Sequence, residues 1–232
     1  MKTESINEKA RIDSLLQNGR ITKEDHQILV AALEKRDHFI KKILANAVNP
    51  FQSLSSTTNI LIGCISILAM SFIGSRLGLH FRGALDFQII EEGKRTFSFI
   101  ELLIQNAVDV ACVSVFFCIG AMICRFKNLR LIDFISSVTF SRLAYAIFAL
   151  LLFVLGPLFP SLLPRKLEAP DAAGSLVLAL VGITFLAWEI TLLFSSLKES
   201  SGAKGKQLWM TFVFGLIVAE AASYALNNLI IK

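Results

Sequence analysis

The sequence predicts an all-α fold: a polytopic transmembrane helix bundle of about five spans, with an N-terminal soluble helical hairpin. Three observations predict it. Hydrophobic residues make up 54% of the chain and charged ones 18%, with a mean hydropathy of +0.64, so apolar content exceeds the soluble norm and charge falls below it. Charge is segregated, since residues 1–56 hold nine Lys/Arg and seven Asp/Glu and most others lie in short gaps between apolar runs. Each of those runs is long enough, at about 1.5 Å per residue, to cross a hydrocarbon core of roughly 30 Å.

Residues 1–50 read as a cytoplasmic helical segment and residues 51–232 as the five-span membrane domain. In the head, Ile6, Ile12, Leu15 and Leu16 mark one apolar stripe, Asn18 and Gly19 end it, and Thr22 with Glu24 and Asp25 caps a second helix. That helix carries Ile28, Leu29, Ala32, Leu33, Phe39, Ile40 and Ile43 at three- and four-residue spacings, beside Lys35, Arg36, Lys41 and Lys42. It is read as an amphipathic connector, or as a surface for a protein partner, the membrane or self-association. Asn49-Pro50 stops it, because proline disfavours helical geometry at the residue before it. The opening residues lack the apolar core of a secretory signal, so the N-terminus is expected to be retained.

The spans are expected at about 57–77, 99–124, 131–159, 173–194 and 208–230, with a polar loop over 78–98 and with Pro157 and Pro160 closing the third. Ten Lys/Arg flank the spans on the side of the head, against six on the side of Arg82, Lys94, Arg95, Arg165, Lys166 and Lys232. The positive-inside rule then makes the N-terminus cytoplasmic and the C-terminus exterior. The net charge of +5 is explained by these flanks, and no basic helix face interleaved with aromatics points to nucleic acid. Cys64, Cys112, Cys118 and Cys124 lie in or at the end of apolar runs and read as small buried hydrophobes. No cofactor and no metal site is expected.

Ionisable residues inside spans cost about 2.5–3.5 kcal/mol each at a helix centre and need partners or water. Asp109 and Glu220 lie near the middle of the second and fifth spans, Arg142 inside the third, and Glu189 toward the cytoplasmic end of the fourth. Glu101, Gln105, Asp109 and Cys112 share one arc of a helical wheel, as do Glu220, Tyr224 and Asn227, so both stripes should face inward. Two readings follow: a proton or solute pathway with Arg142 as counter-ion, or a structural network of polar contacts between helices. Enzyme signatures are weak. Glu91-Glu92-Gly93-Lys94-Arg95 is similar to the paired glutamates and arginine of intramembrane abortive-infection-type proteases, but with altered spacing. His26, His38 and His80 lie outside the apolar runs, so no histidine can activate a span serine or ligate a metal there.

The run spacing, the segment Asn49-Pro50-Phe51-x-Ser53-Leu54 and the basic turn between the last two spans resemble the Yip (Ypt-interacting protein) family, including its bacterial branch. Thr139-Phe140-Ser141-Arg142-Leu143-Ala144 lies where many members have a Gly-Tyr-x-x-x-Pro-like segment, with Ala144 at the proline position, and Trp188 followed by Ser195–Lys206 resembles the end of the fourth family span. The Asp-Leu-Tyr-Gly-Pro element of eukaryotic members is absent. The resemblance implies a non-enzymatic protein of a bacterial inner membrane, acting in membrane organisation or as a partner-recruiting scaffold. The alternative is a small proton- or solute-coupled transporter or channel component using the intramembrane carboxylates.

Overall fold

Three helices start where a hydroxyl, of Thr22, Ser55 or Ser98, takes up a free backbone N–H. The computed structural model describes residues 11–18, 21–89, 97–124, 126, 129–156 and 172–230, without the side chains of 33–45, 87, 89 and 172–175. It divides into two units, residues 1–50 and 51–232. In the first, α1 (11–17) and α2 (Lys23–Val48) form the hairpin. The Asp25 N–H donates to Thr22 Oγ1 at 3.1 Å, and Asp25 Oδ2 accepts from Thr22 N at 3.2 Å and from Thr22 Oγ1, which is a reciprocal capping box. Those bonds hold the Asp25 carboxyl below its usual pKa, so the cap stays charged at neutral pH. Asp13 Oδ1 meets His26 Nε2 at 2.7 Å and ties α1 to α2. Gly19, the expected end of α1, lies outside the described residues.

In the second unit, α3 (Ser56–Leu77) starts at Ser55, whose Oγ accepts from Thr58 N, and ends at Gly78 in the left-handed region (φ 70°). α4 (Phe99–Ile123) starts with a capping box between Ser98 and Glu101. The third run is broken into α5 (Leu131–Ser141) and α6 (Leu143–Leu155), with Arg142 at the break. Ser136, Ser137, Thr139 and Ser141 each donate to a carbonyl three or four residues back, which competes with the helical ladder and bends it. The residues beyond Gly156, with Pro157 and Pro160, lie outside the described set.

α7 (Ala172–Ser201) and α8 (Gly205–Ile230) complete the bundle. The expected fourth span ended at residue 194, but α7 continues for seven residues. Its serines replace water with helix contacts: Ser196 and Ser200 meet Ser137, and Ser201 donates to the Leu197 carbonyl. The expected long basic turn shrinks to residues 202–204, where Gly202 (φ 64°) and Gly205 (φ 63°) reverse the chain. Glu189 therefore lies well inside its helix instead of near an end. The expected polar loop 78–98 is also corrected, since it contains a two-stranded antiparallel hairpin of β1 (Leu79–Phe81) and β2 (Phe87–Ile89).

Among the described residues five helical segments, with α5 and α6 taken together as one, are long and apolar enough to cross a membrane, and the chain is an integral membrane protein. α5 lies against α3, α4 and α7, while α4 packs along α8. Small residues permit the close crossings: a Cβ at Gly63 would stand 2.5 Å from the Thr139 carbonyl carbon, and one at Gly120 2.9 Å from Thr211 Cγ2. Leu61, Ile65, Leu68 and Phe72 on α3, and Trp209, Phe214 and Ile217 on α8, point outward, as a lipid-facing surface requires. Cys112 and Cys118 are buried as expected, whereas Cys64 is exposed on α3.

Gly63→Ala should destabilise the bundle by about 1–3 kcal/mol, since the added methyl meets backbone that cannot step aside. Thermal unfolding of the detergent-solubilised protein checks this, with Gly202→Ala as a comparison at a site of open space but positive φ.

Candidate functional site

Gly78 turns the chain back at the end of α3, and the hairpin re-enters the bundle from that end. Its register pairs Leu79 with Ile89, His80 with Gln88 and Phe81 with Phe87, and the tip is closed by a 3.0 Å bond from Arg82 N to the Asp86 carbonyl. Leu79, Phe81 and Ala84 are buried. The tip reaches Arg142, which lies eleven residues into a 25-residue apolar run; at 1.5 Å per residue that is roughly 16 Å along the axis, near mid-span. Non-helical backbone at such depth persists only where protein groups satisfy its N–H and C=O.

The polar side chains of the spans do this. Phe81 N–H donates to Gln105 Oε1 (3.1 Å), Ala84 N–H to Ser223 Oγ (3.0 Å) and Leu85 N–H to Glu220 Oε2 (2.8 Å). In return the Ala84 carbonyl accepts from Arg142 Nη1 (2.8 Å) and the Leu85 carbonyl from the Tyr145 hydroxyl (3.1 Å). Gly83 lies so close to the Glu220 carboxylate that a Cβ there would displace it from its bond to Leu85 N.

Behind the tip is a second layer. Glu189 Oε1 accepts from Ser141 Oγ at 2.9 Å and stands 3.9 Å from Arg142 Nη1, an ion pair by charge and distance but not a hydrogen bond. Asp109 Oδ1 accepts from Asn227 Nδ2 at 3.0 Å. Asp109, Arg142 and Glu189 are each fully buried, and Arg142 interacts electrostatically with Asp109, Glu189 and Glu220. Asp109 Oδ2, Glu189 Oε2, and Arg142 Nε and Nη2 have no hydrogen-bond partner among the described residues.

Asp109, Arg142, Glu189, Glu220, Gln105 and Asn227 thus gather in one network, in which Glu220 is half-buried and the other five are buried. Two members of the expected stripes leave it. Glu101 faces the helix start, where its carboxylate accepts from Ser98 N at 2.7 Å, because a capping position competes for it. Tyr224 is 42% exposed, with the Arg82 guanidinium 5.6 Å over its ring. Sequence reasoning missed Ser141, Tyr145, Ser223 and the hairpin. The hairpin had a signal in the alternation Leu79-x-Phe81 and Phe87-x-Ile89 around Gly83. The segment Glu91–Arg95 lies outside the described residues, and among those described no group of His, Cys, Asp and Glu could hold a metal.

His80 is half-buried, stacked 4.2 Å from the Phe97 ring, with Nδ1 3.1 Å from Gln105 Nε2. Burial is the largest influence on it and lowers its pKa below 6.5, with Arg82 acting the same way and the Gln105 contact and Asp86 opposing. No family model matches the chain, and no curated protein or solved structure is similar to it.

Arg142→Met leaves the Ala84 carbonyl without its donor, and breaking such buried charged contacts costs about 3–5 kcal/mol. A single cysteine at Ala84, in a chain whose four native cysteines are replaced, should react with a water-soluble maleimide at least about tenfold faster in that variant. Unchanged labelling would mean that the remaining bonds from Gln105, Ser223, Glu220 and Tyr145, with the packing of Leu79 and Phe81, hold the hairpin without Arg142. For His80 the unfolded chain binds the proton more readily than the folded one, so stability is intact above pH 6.5 and falls as pH drops from there toward the folded value. The thermal midpoint should decline over that window, and less so in His80→Gln.

Proposed function

We propose that this chain is a non-enzymatic membrane protein of Yip-like type that organises the bilayer or recruits a partner through its N-terminal helices. The observation that carries this reading is where the intramembrane charges point: Arg142 and Glu220, with Gln105, are bonded to the backbone of a re-entrant hairpin. Groups used to satisfy backbone are restrained from cycling between partners. The head supplies a surface for recruitment or self-association, since Ile28 (67% exposed) and Leu29 (41%) stand out from α2. The family likeness rests on the span pattern, and the bacterial inner membrane comes with that likeness alone. The basic flanks argue separately for a cytoplasmic N-terminus and an exterior C-terminus.

A transporter or channel component is the second reading, favoured by the unpartnered oxygens of Asp109 and Glu189 and the unpartnered nitrogens of Arg142 beneath the hairpin. Such atoms are where water or a moving proton would be held.

Two measurements separate these readings. In proteoliposomes carrying a pH-sensitive dye, the protein should give no proton flux above that of empty vesicles. In intact membranes, Ile28→Glu with Leu29→Glu should abolish chemical crosslinks formed by the head while leaving protein levels unchanged. Flux that disappears in Asp109→Asn would install the transporter reading instead, and reporters at Asn46 and Lys232 on the same side would remove the Yip-like one.

A further inference from the structure

At the end of the bundle away from the hairpin, the first turns of α3 and α5 and the last turns of α7 line an open cavity of about 220 Å³. Its wall includes Phe51, Asn59, Asp133, Ser136, Ser137 and Glu199, with no lysine or arginine among the described lining residues. These positions lie at span ends, the depth of lipid headgroups.

The cavity presents acceptors. Asp133 receives Ser56 Oγ through Oδ1 at 3.2 Å, and Glu199 receives Gln52 Nε2 through Oε1 at 3.0 Å, so both carboxylates are held in place. Asn59 is 4% exposed, and its Oδ1 accepts no hydrogen bond in the described structure. A buried amide oxygen without a donor calls for one, and here it lines a cavity that already holds two acids. Two carboxylates and an amide oxygen match the three N–H donors of a primary ammonium group. A directly bound metal fits less well, since no group of three metal-ligating side chains is present among the described residues. Arg130 and Lys198 are exposed, three residues before Asp133 and one before Glu199. Basic residues so near the acidic lining in sequence suit a ligand whose ammonium is followed by a phosphate.

We propose that this cavity binds a primary ammonium group of the phosphoethanolamine class, with Asp133, Glu199 and Asn59 as its acceptors. The inference is independent of the reading of the charged core. The ammonium can come from phosphatidylethanolamine in the bilayer or from a free amine in solution.

The test uses the full chain in detergent, with thermal stability and native mass spectrometry as readouts. Dioleoyl phosphatidylethanolamine should stabilise the protein and remain bound at least fivefold more than dioleoyl phosphatidylcholine, whose quaternary ammonium has no N–H donor. Asp133→Asn and Glu199→Gln, each checked for a monodisperse elution profile, should remove that preference. Stabilisation by the lipid alone assigns the source to the bilayer, and equal protection by millimolar ethanolamine assigns it to a free amine. Equal binding of the two lipids by the unmodified protein overturns the proposal. So does a preference that survives both substitutions, or stabilisation by magnesium alone that the substitutions abolish.

Discussion

Among the hairpin's backbone groups, the N–H of Phe81, Ala84 and Leu85 and the C=O of Ala84 and Leu85 must each be met by a side chain from the surrounding helices. That requirement organises the middle of the bundle. Gln105 comes from α4, Arg142 from the break after α5, Tyr145 from α6, and Glu220 and Ser223 from α8. A buried polar group left unpaired costs about 1–3 kcal/mol, so losing any one of these partners strands a group that water cannot reach. The hairpin thus cross-links helices that are distant in sequence, and the absence of a side chain at Gly83 leaves the Glu220 carboxylate room to reach Leu85 N.

The bend in the third span belongs to the same arrangement. Hydroxyls at Ser136, Ser137, Thr139 and Ser141 compete for helical carbonyls and weaken the ladder where Arg142 leaves it. Arg142 is then positioned to donate to Ala84 while facing Glu189 at 3.9 Å. One guanidinium serves three carboxyls in this network, and its charge is spread over contacts of unequal quality. Buried ion pairs of this kind are weak contributors to stability and stronger contributors to a unique arrangement, because an alternative packing would leave a charge unpaired.

The two ends of the bundle are chemically distinct. One is closed by apolar strand residues and the stacked pair His80 and Phe97. The other is lined by hydroxyls and carboxylates, since the serines that end α7 pack onto those that begin α5. Glycines at 63, 120 and 215 bring the helices between these ends to close approach.

The sequence by itself determined the five apolar runs, the Thr22 cap with Asp25, and the inward position of Gln105, Asp109, Cys112 and Asn227 along their two stripes. Hydropathy and capping are local properties, summed over a window or read across one turn, and helical periodicity sorts polar from lipid-facing positions without knowledge of neighbours. Tertiary structure decided the rest. Tyr224 was drawn to the surface, and the polar stretch after Leu77 became a buried hairpin. The serine-rich end of α7 stayed helical because Ser137 was there to meet it. Such outcomes depend on which donor meets which acceptor across separations of 58 to 139 residues, as between Ala84 and Arg142 or Ser223. No local pattern encodes that pairing; it follows from excluding water, which leaves every buried backbone group dependent on whatever side chain the packing brings within about 3 Å.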